Sequence, residues 1–164
     1  MEMSIALAAT ALTLAVWLNG DTRRSMHLPR FLSFSWLWFA LVIFWAVVLY
    51  WLSEQSSLPT SESFEGIDKL QHAVYFAAGG ACFLLGLRLA GFVRKTSAAV
   101  ILTVLFCSVV GGFDEWHQTF TPGRSGGDVW DWLADMTGGF IGAFIALRAE
   151  NWLTSAGTTT SAGR

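Results

Sequence analysis

Charge is scarce in this sequence: only 13% of its 164 residues are Asp, Glu, Lys or Arg, about half the ~25% of an ordinary soluble domain. So few charges cannot cover a water-facing surface, which argues against a soluble globular enzyme. With 54% hydrophobic residues the chain is not disordered either. Lysine occurs twice and the net charge is −2, which leaves no basic surface for nucleic acid and no polybasic patch for anionic lipid. Cysteine also occurs only twice. Cys82 and Cys107 lie inside apolar runs, as small buried hydrophobes do, and no CxxC or Cys/His zinc spacing is present. Gly-x-Ser-x-Gly, His-Glu-x-x-His and the P-loop are all missing. The Gly79-Gly80 and Gly111-Gly112 pairs make no nucleotide fingerprint, and no internal repeat is visible.

What is present is 9 Trp, 13 Phe and 16 Gly at a mean hydropathy of +0.51. About 20 apolar residues span a bilayer as a helix. Five stretches approach or meet that length: 3–18, 31–52, 70–90, 98–113 and 129–147. They are continuous rather than alternating, so a β-barrel is a poor alternative. The expected fold is all-α: a polytopic transmembrane helical bundle. The first stretch is short and preceded by Glu2 rather than a basic segment, and no convincing cleavage site follows it. It reads as an uncleaved membrane helix, with removal during maturation as the other option. Domain boundaries are expected at 1–30, 31–148 and 149–164, the last a Ser/Thr/Gly/Ala-rich flexible tail.

Loop charges alternate. Segment 19–30 carries Arg23, Arg24 and Arg30 against Asp21, and 88–96 carries Arg88, Arg94 and Lys95 without an acid. Segment 53–69 carries Glu54, Glu62, Glu65 and Asp68 against Lys69, and 113–128 carries Asp114, Glu115 and Asp128 against Arg124. The positive-inside rule therefore puts the basic loops and the C-terminus in the cytoplasm. Most of the Trp residues, including Trp36, Trp38, Trp45, Trp51, Trp116, Trp130 and Trp132, read as interface anchors.

The remaining polar residues gather at the non-cytoplasmic ends of the last three stretches. Asp68, His72 and Tyr75 share one helical face at i, i+4 and i+7. Gly79 and Gly86 continue the His72 stripe and would let a neighbouring backbone approach. Asp114, His117 and Gln118 share another face, with Glu115 about 100° round. Pro122-Gly123 signals a turn that presents Arg124, whose planar fork suits phosphate or carboxylate. Asp128, Asp131 and Asp135 follow at i, i+3 and i+7, and Gly138 and Gly142 continue the Asp135 side. Asp135 would lie about 10 Å along the axis from Asp128. A charge at that depth costs at least ~2.5 kcal/mol and must find an interior partner.

The candidate ligand-binding set is Asp68, Lys69, His72, Asp114, Glu115, His117, Gln118, Arg124, Asp131 and Asp135. Each member also has a plain reading. The histidines can bond neighbouring helices, Arg124 can snorkel to lipid phosphates, and Asp135 can be a structural partner of Arg124 or Lys69. No cofactor is expected and no residue has diagnostic metal-ligand spacing, although the Asp/His/Glu set makes a divalent cation conceivable.

The motifs Asp68-Lys69-x-x-His72, Asp114-Glu115-x-His117-Gln118, Pro122-Gly123-Arg124-Ser125 and Asp131-x-x-Ala134-Asp135-x-x-Gly138, in this order, resemble the VanZ-like family of small bacterial membrane proteins. The resemblance covers roughly 31–148 and implies a four-helix core, to which 3–18 would be an addition. The family often has Asn where this chain has Asp135, so the site here is more acidic than usual or Asp135 is protonated. The resemblance also implies a bacterial inner-membrane, cell-envelope protein of a family named for teicoplanin (glycopeptide) resistance.

Two readings of function follow. In the first, an outer-face site binds or modifies an envelope component, such as a lipid-linked precursor or another phosphate-bearing ligand. Lys69 and Arg124 would pair phosphate, and His72 or His117 would act as acid or base. In the second, the chain is a structural or accessory subunit of a larger membrane complex, and the polar cluster locks its helices together. A transporter is a weaker third, because no continuous polar path is visible.

Overall fold

In the computed structural model, the described residues are 30–56 and 66–161. A short 3-10 turn at Arg30–Ser33 leads into four helices: α1 (Ser35–Ser53), α2 (Ile67–Leu89), α3 (Thr96–Gln118) and α4 (Val129–Ser161). No strand occurs among the described residues. The expected helix at 3–18 lies outside them, as do Glu62 and Glu65. The four helices match the second to fifth apolar stretches. α4 runs to Ser161, well past the expected end at 147 and through most of the segment read as a tail.

α1, α2 and α3 are each long and apolar enough to cross a membrane. At 1.5 Å per residue, the 23 residues of α2 and of α3 reach about 35 Å, against a hydrocarbon core of ~30 Å. α4 carries the buried acids Asp131, Asp135 and Glu150 and is not among these three.

The bundle is closed by small residues. α2 packs most extensively on α4, and α4 next on α3. A Cβ added to Gly138 or Gly142 would run into the backbone carbonyls of Ala73 and Ala77, and one on Gly80 would come 3.0 Å from Gly139 Cα. Such close approach is the small-xxx-small mode of helix association. Five of the eight buried residues of α3 form a ladder of four-residue steps: Ala99, Thr103, Cys107, Gly111 and Glu115.

α1 lies outside this core, with only Val42, Trp45 and Ser53 buried. Trp36, Ile43, Phe44, Val47 and Trp51 are exposed, as on a lipid-facing helix. Trp45 is not an interface anchor. It is buried in mid-helix, seats its ring on Gly79 and donates to the Tyr75 carbonyl at 3.0 Å. Tyr75 returns a bond to the Trp45 carbonyl at 2.8 Å. Gly79 thus admits an aromatic ring rather than a backbone, and Gly86 likewise receives Phe39. Trp132 also packs inward, with its indole N–H on the Ser108 carbonyl at 2.8 Å. At the opposite end of the bundle Arg88 pairs with Glu150 at 2.7 Å.

Candidate functional site

The C-terminal ends of α1 and α3 and the N-terminal ends of α2 and α4 meet at one end of the bundle. The segment 119–128 covers that end. It turns at Thr121-Pro122-Gly123-Arg124, where the Arg124 N–H bonds the Thr121 carbonyl at 3.2 Å and Gly123 has φ +82°. Only glycine adopts that φ readily. Asp128 then caps α4, its carboxylate accepting the Trp130 N–H at 2.8 Å. That bond first, and the Lys69 ammonium after it, hold the Asp128 carboxyl below the usual carboxylate range.

Three linked groups occupy this end. In the first, Lys69 of α2 reaches Asp131 at 2.9 Å, Asp68 at 2.9 Å and Asp128 at 3.2 Å. In the second, His72 Nδ1 lies 2.9 Å from Asp135 Oδ1. Asp135 has no exposed surface, and its other oxygen lies against Gly111, where any Cβ would collide with it. In the third, Asp114 is held by Ser53 of α1 and by Gln118 Nε2 at 2.8 Å. Gln118 Oε1 in turn receives Arg124 Nη2 at 2.8 Å and Nε at 3.1 Å. Glu115 lies between the groups: its Oε2 accepts the Asp128 N–H at 2.8 Å, and its carboxylate lies within 4.8 Å of ligand atoms of His72 and Asp114.

Lys69, His72, Asp114, Glu115, Gln118, Arg124, Asp131 and Asp135 are therefore connected around one bundle end. Two predicted members stand apart. Asp68 is half-exposed on the rim beside Lys69. His117 turns to α1, 3.0 Å from Glu54 and stacked 4.6 Å from the Tyr50 ring. The expected face of Asp114, His117 and Gln118 is thus corrected: Glu115 belongs to the buried arc and His117 does not. The arc centres on Gly111 and Gln118. At about 100° per residue, Glu115 lies some 40–60° from that centre and His117 about 110° from it.

A cavity of about 540 Å³ opens between α1, α2 and α3. Its walls include Leu49, Leu52, Ile67, Leu70, Val74 and Phe76, and its polar end carries Ser53, His72, Asp114, Gln118 and Arg124. Among the described residues, Arg124 bonds an amide oxygen and pairs with no carboxylate. Its charge remains available to an anion. Ligand atoms of His72, Asp114 and Glu115 lie within 4.8 Å of one another, a spacing that could hold a metal ion among the described residues.

Sequence reasoning missed Ser53, since one hydroxyl at the end of an apolar run carries no signal. It also missed Gly111 as the space for Asp135. The four-residue ladder of small residues on α3 points to both Gly111 and Glu115.

A family model described as VanZ/LLP1 matches residues 5–151, nearly the whole chain. That span takes in the first apolar stretch as well as 31–148. No curated protein and no solved structure matches.

Proposed function

The chain belongs to the VanZ-like family of membrane proteins, and we propose that its bundle end binds an amphiphilic, phosphate-bearing component of the bacterial cell envelope from the extracytoplasmic side. The observation that carries this reading is the 540 Å³ cavity, apolar along its walls and ending at Arg124. An acyl or polyprenyl chain suits the walls. A phosphate suits a guanidinium that pairs with no carboxylate among the described residues. His72 sits at the same polar end and is the group suited to move a proton if the component is modified as well as bound.

The orientation rests on the loop charges. Arg88, Arg94 and Lys95 mark the opposite end as cytoplasmic, with the C-terminus on that side. A link to teicoplanin tolerance forms part of this reading through the family's association.

The experiment is binding of a long-chain alkyl or polyprenyl phosphate to the full chain in nanodiscs, with the matching alcohol as control. Arg124→Ala is expected to lose about 1.5–3 kcal/mol, the worth of a hydrogen bond to a charged group, or roughly 10–150-fold in Kd. In a teicoplanin-susceptible host the same variant should express normally and fail to confer the tolerance given by the unaltered chain. Equal affinity for alcohol and phosphate would refute the assignment.

The accessory-subunit reading has one specific observation in its favour. The Ser53–Asp114 and His72–Asp135 bonds tie α1 to α3 and α2 to α4. Under that reading Arg124→Ala leaves phosphate binding unchanged, while Asp114→Asn releases a co-purifying membrane partner.

A further inference from the structure

Three buried carboxylates at the bundle end lack a strong cation among the described residues. Asp114, Glu115 and Asp135 are 6%, 5% and 0% exposed. Among the described residues no lysine or arginine pairs with any of them, and His72 is the one ion-pair partner, through Asp135. Lys69 is engaged elsewhere, by Asp68, Asp128 and Asp131. Buried charges of one sign are costly unless a counter-charge neutralises them.

The geometry supplies a place for that counter-charge. His72, Asp114 and Glu115 each offer a ligand atom within 4.8 Å of the others. Glu115 Oε2 is held by the Asp128 N–H, while Oε1 is buried and meets no hydrogen-bond partner among the described residues. His72 Nδ1 is 2.9 Å from Asp135. An ionised Asp135 accepts from Nδ1–H, which leaves the Nε2 lone pair for a ligand. A carboxylate that fixes the far nitrogen of an imidazole is the usual outer partner of a metal-binding histidine. His72 and Asp114 also line the cavity, so a coordination position would face it.

We propose that His72, Asp114 and Glu115 bind one divalent transition-metal cation of the zinc or manganese class, with Asp135 as the positioning residue for His72. One imidazole and two carboxylates favour such an ion over calcium or magnesium, which prefer all-oxygen sets. This site shares His72 and Asp114 with the polar end of the cavity proposed for the envelope ligand, but its test needs no lipid.

The test uses the purified full chain in detergent, stripped with a chelator, dialysed and titrated with Zn²⁺, Mn²⁺, Mg²⁺ or Ca²⁺ alone. About one Zn²⁺ or Mn²⁺ per chain is expected. Glu115→Gln and His72→Ala should each weaken binding by more than the roughly 10–100-fold that loss of an outer partner costs, and Asp135→Asn should fall within that range. His117→Ala, at the separate Glu54 pair, should change nothing. Should the site variants fail to fold, X-ray absorption on the Zn²⁺-loaded unaltered chain decides, with one imidazole nitrogen and carboxylate oxygens expected. The proposal is overturned by the lack of a stoichiometric site, by Mg²⁺ or Ca²⁺ binding alone, by an affinity insensitive to Glu115 and His72, or by a spectrum without imidazole. A phosphate-binding failure with the metal site intact would sink only the ligand assignment.

Discussion

Asp135 carries the sharpest constraint at the scale of single residues. It is wholly buried, it meets His72 at 2.9 Å, and it occupies the volume a side chain on Gly111 would need. Three helices thus depend on one carboxylate. Gly111→Ala is expected to cost about 1–3 kcal/mol, the usual penalty of overpacking. In an Asp135→Ala background the same change should cost clearly less, since the carboxylate contact is gone and only the Cβ at 2.9 Å remains to be accommodated. Thermal unfolding of the four proteins in detergent measures the cycle, and additive costs would contradict the geometry. The acid at 135 and the histidine at 72 were legible because charge at membrane depth demands an interior partner. Which partner was not legible: Arg124 or Lys69 was the expectation, and the structure supplies His72 instead.

Among the elements, α4 is set against α2 by glycine rather than by apolar bulk. Gly142→Val would drive a branched side chain into the Ala77 carbonyl. A loss of at least about 2 kcal/mol is expected, because backbone cannot step aside as a flexible side chain can. Gly112 is the internal control. A Cβ there would meet only Trp132 Nε1, at 3.7 Å, and Gly112→Ala should be neutral or gain up to ~1 kcal/mol of helix propensity. Denaturant midpoints of the two variants provide the comparison. The small-residue spacing on α4 was readable in the sequence. That Gly79 and Gly86 take aromatic rings from α1 was not, since a glycine stripe reveals room without revealing what fills it.

The molecule as a whole places its polar network at one end and an Arg88–Glu150 ion pair at the other. On the proposed orientation, Ser125→Cys in the exposed 119–128 segment should react with a membrane-impermeant maleimide in intact spheroplasts. Ser97→Cys, near the opposite end, should react only after permeabilisation. The unaltered chain sets the background, as Cys107 is buried and Cys82 half-buried. The reverse pattern would invert the bundle and move the site to the cytoplasmic face.

The sequence alone determined the four described helices, their approximate ends except the C-terminal end of α4, and the membrane character of α1, α2 and α3, because a bilayer imposes length and apolarity on each segment independently of its neighbours. It also determined that acids and imidazoles collect at one end, since the turns between helices fix which ends coincide. Only the tertiary structure decided membership within that end. It set His117 against Glu54 and brought Glu115 inward, and it drew Ser53 and Gly111 into the site. Helical periodicity gives each side chain an angle, but the rotation of α3 between α1 and α4 is set by the packing of small residues from all the helices at once.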